Sequence, residues 1–221
     1  MQRAFKDSEL YEARFGLKEQ RSTFFTLLAL MLFILFIFGF RVYWTDTFSG
    51  VEVDGASMYK TLHDGEELLM KYYKKGDTLE RGAVIVVYVA DYPEVKAYNA
   101  NKPKERQLVY LIKRLIATEG DQVKCVNGQV YIRYKGGTDF LPLNEPYAYY
   151  TDRMNYDFDT YTVGANEIFF LGDNRNNSCD SRYGETGGSH LSGGLYKVDD
   201  VFGVVPDWAI ENQSILQKIF F

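Results

Sequence analysis

One uninterrupted apolar run limits what this chain can fold into. The run extends from Phe24 to Phe40 and contains no charged residue and a single polar one. A helix of this length measures about 25 Å, slightly less than the ~30 Å hydrocarbon core of a membrane. Arg41 can extend its charge to the headgroups, and Tyr43 and Trp44 suit the same interface. The sequence therefore predicts one membrane-spanning helix at residues 24–43.

A cleavable signal peptide is the alternative interpretation of this run, although its apolar region is usually shorter. Thr47-Phe48-Ser49 weakly resembles a small-x-small cleavage site but lies far beyond the run, and Arg41–Trp44 suits cleavage poorly. An uncleaved anchor is therefore preferred. Five basic residues precede the run and only Arg41 follows closely. We expect a cytoplasmic tail at residues 1–23 and an extracellular domain at 45–221, with the protein in the plasma membrane.

The composition describes a globular domain and excludes several function classes. Among 221 residues, 46% are hydrophobic and 16% aromatic, which favours β structure. The net charge of −5 gives no support for a nucleic-acid partner. Two cysteines and two histidines are too few and too scattered for a cysteine-rich metal site. We predict neither a metal nor an organic cofactor.

The chain after the anchor predicts mainly β structure. Strands are predicted, from apolar or alternating patterns, at Glu66–Lys71, Ala83–Ala90, Gln107–Ala117, Val123–Val126, Gln129–Tyr134, Ile168–Leu171 and Tyr196–Val205. Asn127-Gly128 predicts a two-residue hairpin that places Cys125 opposite Val130.

The segments between and after these strands lack the strand pattern. We expect residues 91–107 to form an exposed loop and residues 136–162 to form an irregular segment. Residues 184–194 are rich in glycine and are expected to form a mobile loop. Apolar residues spaced from Trp208 to Ile219 indicate one face of a short C-terminal helix.

Ser57 lies just outside the anchor, and a serine hydroxyl needs a base to act as a nucleophile. His63 and His190 are each interpreted as solvated loop residues, and no clear Ser-His-Asp arrangement emerges. Lys113 lies instead on the apolar face of the strand Val109–Ala117. Burial lowers the pKa of a lysine, which lets the neutral amine accept a proton. A lysine extended into solvent at a sheet edge is the alternative.

A polar run from Gly172 to Arg182 directly follows a predicted apolar strand. Composition alone favours a hydrophilic turn. A calcium loop is excluded because Arg175 occupies an alternate position where an acidic or amide ligand is needed. Aspartate and arginine together can form buried ion pairs that brace a site.

Four stretches, in this order, resemble the motifs of the bacterial type I signal peptidases: Asp54–Leu62, Ala83–Tyr88, Tyr110–Val123 and Gly172–Gly184. These are membrane-anchored Ser-Lys endopeptidases that remove signal peptides from exported preproteins after small-x-small sites. The resemblance implies a β-rich catalytic domain, with an inserted variable segment at about residues 124–165, preceded by one transmembrane helix. The single anchor is similar to the Gram-positive branch.

The resemblance also implies roles for individual residues. Ser57 would be the nucleophile, Lys113 the general base, and Ser178 the hydroxyl that orients the amine. Scaffold ion pairs would join Arg114 to Asp173 and Asp180 to Arg182. The residues expected to line shallow pockets for small substrate side chains at −1 and −3 are Met58, Leu62 and Ile112. The implied partners are signal peptides and the lipid bilayer, and we expect a monomer.

Two departures from the family pattern stand in the serine motif. Lys60 occupies a position where proline is usual, which affects the turn rather than the chemistry. Gly55 occupies a position where some relatives carry a serine that donates to the oxyanion, so this chain needs another donor. The alternatives that remain are another Ser-Lys protease and a membrane-anchored β-domain that binds partner proteins.

Overall fold

A computed structural model describes residues 2–153, 156–182 and 194–220 of the chain. The chain divides into two compact units, Met1–Thr47 and Phe48–Phe221. The first unit is a single helix, α1 (Gln2–Thr47), of 46 residues. Its part from Gln20 to Thr47 is long and apolar enough to cross a membrane. The helix therefore contains the predicted anchor and also runs through the polar residues before it.

The second unit is built mainly of β strands, so the predicted mainly β fold is confirmed. Its larger sheet has seven strands in the order β1-β2-β11-β3-β4-β9-β10, all paired antiparallel. The strands are β1 (Phe48–Glu52), β2 (Glu67–Tyr72), β3 (Val84–Tyr88), β4 (Tyr110–Thr118), β9 (Glu167–Leu171), β10 (Tyr196–Lys197) and β11 (Val201–Val205). Strand β3 is apolar throughout and lies in the interior of the sheet, between β11 and β4.

A smaller sheet of four strands follows the order β7-β6-β5-β8. Its strands are β5 (Gln122–Val126), β6 (Gln129–Arg133), β7 (Leu141–Pro142) and β8 (Phe158–Thr162). The hairpin between β5 and β6 is confirmed, because Asn127 and Gly128 both have positive φ angles, 52° and 68°. Cys125 lies opposite Val130, as predicted.

Several local predictions are wrong. The predicted loop at 91–107 contains the helix α2 (Pro93–Asn99). Proline suits the first turn of a helix, and both ends of the Asn99 amide hydrogen-bond to the backbone of Leu108 (2.7 and 2.8 Å). The predicted irregular segment contains β7 and β8. The predicted strand at Tyr196–Val205 is interrupted by a 3₁₀ turn at Val198–Asp200, and Tyr92 Oη donates to Asp200 there (2.5 Å).

The C-terminal apolar spacing corresponds to two short helices, α3 (Asp207–Glu211) and α4 (Gln213–Phe220). The predicted glycine-rich loop, except for Gly194, lies outside the described residues, as does His190.

Candidate active site

The loop that carries Ser57 is folded into tight turns and fixed from outside by Asn174. The N–H of Tyr59 donates to the Ala56 carbonyl (3.2 Å), and that of Thr61 donates to the Met58 carbonyl (2.9 Å). The Asn174 N–H donates to the Ser57 carbonyl, and Asn174 Nδ2 donates to the Ala56 carbonyl, both at 3.0 Å. Asn174 therefore holds the backbone on which the serine hydroxyl is mounted, a role that sequence reasoning missed.

The side chain of Lys113 reaches Ser57 from strand β4. Its Nζ donates to Ser57 Oγ at 2.8 Å and to the Ile112 carbonyl at 2.8 Å. Lys113 is only 2% exposed, as the apolar face of its strand predicted. This burial lowers the pKa of the amine from 10.5 to about 8, although the negative charge of Asp180 opposes the shift. A substantial fraction of the amine is therefore neutral near pH 8.

Ser178 lies in the same region without contacting the amine. It is 5% exposed, and its buried Oγ has no hydrogen-bond partner among the described residues, Lys113 Nζ included. A Cβ added to Gly172 would lie 2.1 Å from Ser178 Oγ and 2.6 Å from the Ser57 carbonyl oxygen. The absence of a side chain at Gly172 is what allows both serines to lie so close to this position.

Both expected ion pairs are present and buried. Arg114 binds Asp173 through Nε (2.8 Å) and Nη2 (2.6 Å), and Thr61 Oγ1 donates to the same carboxylate. Arg182 binds Asp180 through Nε (2.7 Å) and Nη2 (2.9 Å). The first pair joins the polar run to strand β4 and, through Thr61, to the serine loop, whereas the second pair lies within the polar run.

Arg175 forms a third buried ion pair that sequence reasoning missed. Its guanidinium binds the Glu145 carboxylate and also donates to the Gly172 carbonyl (3.0 Å) and Tyr150 Oη (3.2 Å). Glu145 belongs to the inserted segment, so this pair ties that segment to the polar run. The only signal in the sequence was an arginine in a run that follows a buried strand.

A cleft of about 910 Å³ adjoins Ser57 and Lys113. One wall consists of residues 51–58 and the other of residues 105–113, and further lining residues come from 176–179 and from Tyr98 and Lys102. Met58 and Ile112 line the cleft, as the resemblance implied. Met58 and Leu62 are both almost fully buried, but Leu62 is not among the residues that line the cleft, so a pocket role for Leu62 stays a prediction. The packing of the serine loop turns this apolar side chain into the interior.

His63 does not join this site, and His190 lies outside the described residues. His63 Nδ1 lies 3.1 Å from Glu66 Oε1, and the side chain of His63 is largely exposed. Within the parts of the chain that the structure describes, no group of three His, Cys, Asp or Glu residues is arranged to hold a metal ion.

Most of the chain matches the model of one protein family. Residues 23–210 match the family model described as signal peptidase, peptidase S26. Signal peptidase I S of Bacillus subtilis (strain 168) is 34% identical over 142 residues, which are 62% of this chain and 67% of that protein. Signal peptidase I P of Bacillus subtilis subsp. natto is 28% identical over 179 residues, 80% of this chain and 83% of that one.

The solved structures include a similar chain. A signal peptidase I from Enterococcus faecalis V583 is 25% identical, with a TM-score of 0.38, and the match covers 59% of this chain and 98% of that chain.

Proposed function

Since the chain belongs to the signal peptidase family, peptidase S26, and is a type I signal peptidase, we propose that Ser57 and Lys113 form its catalytic dyad. One observation carries the proposal: the buried Lys113 amine lies 2.8 Å from Ser57 Oγ. A general base must lie within hydrogen-bond reach of the proton that it removes and must be neutral at the working pH. The lowered pKa of Lys113, about 8, favours the second condition, because it makes the neutral amine available at a lower pH than in an ordinary lysine.

The reaction that this pair supports is acyl transfer. Neutral Lys113 takes the proton of Ser57, and Oγ attacks the carbonyl carbon of the scissile peptide bond. The tetrahedral intermediate collapses as Lys113 returns the proton to the leaving amine, which leaves an acyl ester on Ser57. Lys113 then takes a proton from water, and the hydroxide attacks the ester carbonyl. The bond to Ser57 Oγ breaks, Lys113 returns the proton to Oγ, and the acid product leaves. The reaction needs no metal or organic cofactor.

The developing oxyanion needs donors, and the Ser57 N–H has no partner among the described residues. The Gly55 N–H does not serve, because it donates to Asp64 Oδ1 at 2.6 Å. We assign the Ser57 N–H as one donor. Ser178 would orient the amine once its side chain rotates so that the hydroxyl points to Lys113 Nζ. No other hydrogen bond opposes this rotation, because Ser178 Oγ has no partner among the described residues.

The substrate segment before the cleavage site binds as an extended strand along β4. Strand β9 pairs with β4 only from Arg114 onward, so the second edge of residues 110–113 has no strand partner among the described residues. Such an edge accepts a peptide through backbone hydrogen bonds. Met58 and Ile112 then lie where small substrate side chains at −1 and −3 would fit.

The length and apolar character of α1 support a membrane anchor, and the five basic residues before the apolar run support the orientation. Residues 24–43 form the anchor, residues 1–23 lie in the cytoplasm, and residues 45–221 form the extracellular catalytic domain, with its inserted segment at about 124–165. Because Ser57, Lys113 and both cleft walls come from one chain, a monomer is sufficient.

The test uses the full chain in detergent with a purified preprotein. We expect one cleavage after a small-x-small site, identified by mass spectrometry of both products, and no cleavage by Ser57→Ala. A wild-type protein that binds preproteins but leaves them intact would instead indicate a partner-binding domain.

Protease added to intact cells should digest the catalytic domain and spare the N-terminal tail.

A further inference from the structure

Four aromatic side chains form a continuous surface at one end of the large sheet, and the proposed reaction does not use it. We call it the aromatic surface: Tyr72, Tyr88, Tyr110 and Phe202. The ring centroids of Tyr72 and Phe202 lie 5.3 Å apart, those of Phe202 and Tyr110 4.9 Å, and those of Tyr110 and Tyr88 5.6 Å. Tyr110 is 40% exposed and Phe202 37%. Contiguous exposed rings of this kind mark interaction surfaces.

The aromatic surface is continuous with the cleft. Tyr110 lines the cleft and belongs to the surface. In strand β4, Tyr110 and Ile112 project from the same face, because side chains alternate along a strand. The two residues are separated by about 6.6 Å, twice the rise of a strand residue. Tyr88 pairs directly with Tyr110 in the neighbouring strand and therefore faces the same way.

The direction of the substrate determines what reaches this surface. A peptide that pairs with the edge of β4 passes Lys113 at the scissile bond, then Ile112, and then Tyr110. Alternate side chains of that peptide lie on the face of Ile112 and Tyr110. At the end of this edge, the ring of Phe202 lies 4.9 Å from that of Tyr110, and the ring of Tyr72 follows at 5.3 Å from Phe202, so a peptide that bends over the end of the sheet meets them in this order. Signal peptides carry an apolar region of 7–15 residues upstream of their cleavage site.

We infer that the aromatic surface binds the end of the apolar region of the signal peptide, and that Phe202 and Tyr72 contribute to substrate selection from outside the cleft. The inference rests on the proposed function and deepens it. Rings offer a large apolar contact area, whereas the tyrosine hydroxyls remain hydrated at the rim. The surface would therefore favour apolar over polar substrate segments.

The experiment compares two long peptides that share residues −5 to +5 around one cleavage site. Their upstream segments differ, one rich in leucine and the other in serine and glycine. The measured quantity is the ratio of kcat/KM for the apolar peptide to that for the polar peptide, with full-length enzyme in detergent. We expect Phe202→Ala and Tyr72→Ala each to lower this ratio about fivefold, and Phe202→Tyr to retain it. Tyr134→Ala is the matched control, because Tyr134 is 43% exposed and lies away from the aromatic surface.

Each alternative outcome has a distinct meaning. An equal loss of kcat/KM for both peptides would overturn the inference, because the rings would then act through the fold or the cleft. An unchanged ratio in detergent, combined with a loss of cleavage only on lipid vesicles, would overturn it in favour of a lipid surface. If wild-type enzyme cleaves neither peptide nor a preprotein, the proposed function fails, which is a different result from failure of the aromatic surface.

Discussion

Lys113 Nζ donates a hydrogen bond of 2.8 Å to Ser57 Oγ, although 56 residues separate the two in the chain. Neither partner is held by its own sequence neighbours alone. Strand β4 sets the position of the lysine, and hydrogen bonds from Asn174 set that of the serine backbone. The contact is therefore a product of three segments, and changes in any of them should alter its chemistry.

Removal of either member of the pair should abolish turnover. Ser57→Ala removes the nucleophile and Lys113→Ala the base, so each should lower kcat/KM for a preprotein at least about a thousandfold. The residues of a catalytic unit fail together, so the double variant should be little worse than either single one. Lys75→Ala, at an exposed lysine in a turn, is the control. Near wild-type activity in Lys113→Ala would show that another group removes the proton.

The rate should rise with pH through the pKa of Lys113. Below about pH 8 the amine is mainly protonated, so kcat/KM should fall about tenfold for each further unit of acidification. Above that pH the amine is mainly neutral, and the rate should level off. The profile is measured under conditions where the chemical step limits the rate. A flat profile from pH 6 to pH 9 would contradict a lysine base.

Sequence reasoning singled out Ser57 and Lys113, which are in contact in the structure, because each carries a local signal. An apolar strand interrupted by Lys113 indicates a buried amine, and a serine between small residues next to a turn indicates an accessible loop. The Asn127-Gly128 hairpin was predictable for the same reason, since its turn chemistry is local. Patterns within one segment do not reveal which segments meet, so the resemblance to a family supplied that link.

The missed features depend on contacts between distant segments. Arg175 and Glu145 are 30 residues apart, and nothing near either one indicates its partner. Strand β1 was missed because its five residues have no strong alternation and are held mainly by pairing with β2. The pocket role of Leu62 stays a prediction, because apolar character next to Ser57 does not distinguish a pocket wall from the interior.

Lys113→Met should stabilise the protein near neutral pH. The pKa is lower in the folded state, about 8, than the ordinary value of 10.5, so the unfolded chain binds more protons between these values. The wild-type protein therefore has its full stability above pH 10.5. Its free energy of unfolding decreases as the pH falls from 10.5 to 8 and stays at the lower value below pH 8. The deficit approaches about 3 kcal/mol below that pH.

The thermal unfolding midpoints of wild type and Lys113→Met, measured in detergent at several pH values, check this expectation. The advantage of the variant should be largest at pH 7 and should shrink between pH 8 and pH 10. An advantage that stays constant over this range would mean that it comes from packing rather than from the charge.

Breaking the Arg114–Asp173 pair should destabilise the fold strongly. The Asp173 side chain is fully buried and accepts bonds from both Arg114 and Thr61. Asp173→Asn leaves the guanidinium buried without a counter-charge, which costs about 3–5 kcal/mol and lowers the unfolding midpoint by about 10 °C. Glu119→Gln breaks the exposed Lys135–Glu119 pair, whose side chains are 64% and 52% exposed. That control should cost less than about 1 kcal/mol, and equal shifts for the two variants would refute the argument.

The two cysteines should react with alkylating agents at very different rates. Cys125 is buried within strand β5 of the small sheet, and burial raises the pKa of its thiol to about 12. Alkylation requires the thiolate, so this residue should react only after unfolding.

Cys179 is partly exposed and lines the cleft beside Ser178. We expect iodoacetamide to modify Cys179 in the native protein and to slow preprotein cleavage by blocking the cleft. Peptide mass spectrometry over a time course measures both rates, and the Cys179→Ala variant should resist inactivation whereas Cys125→Ala should not. Faster labelling of Cys125 than of Cys179 would show that the small sheet opens in solution.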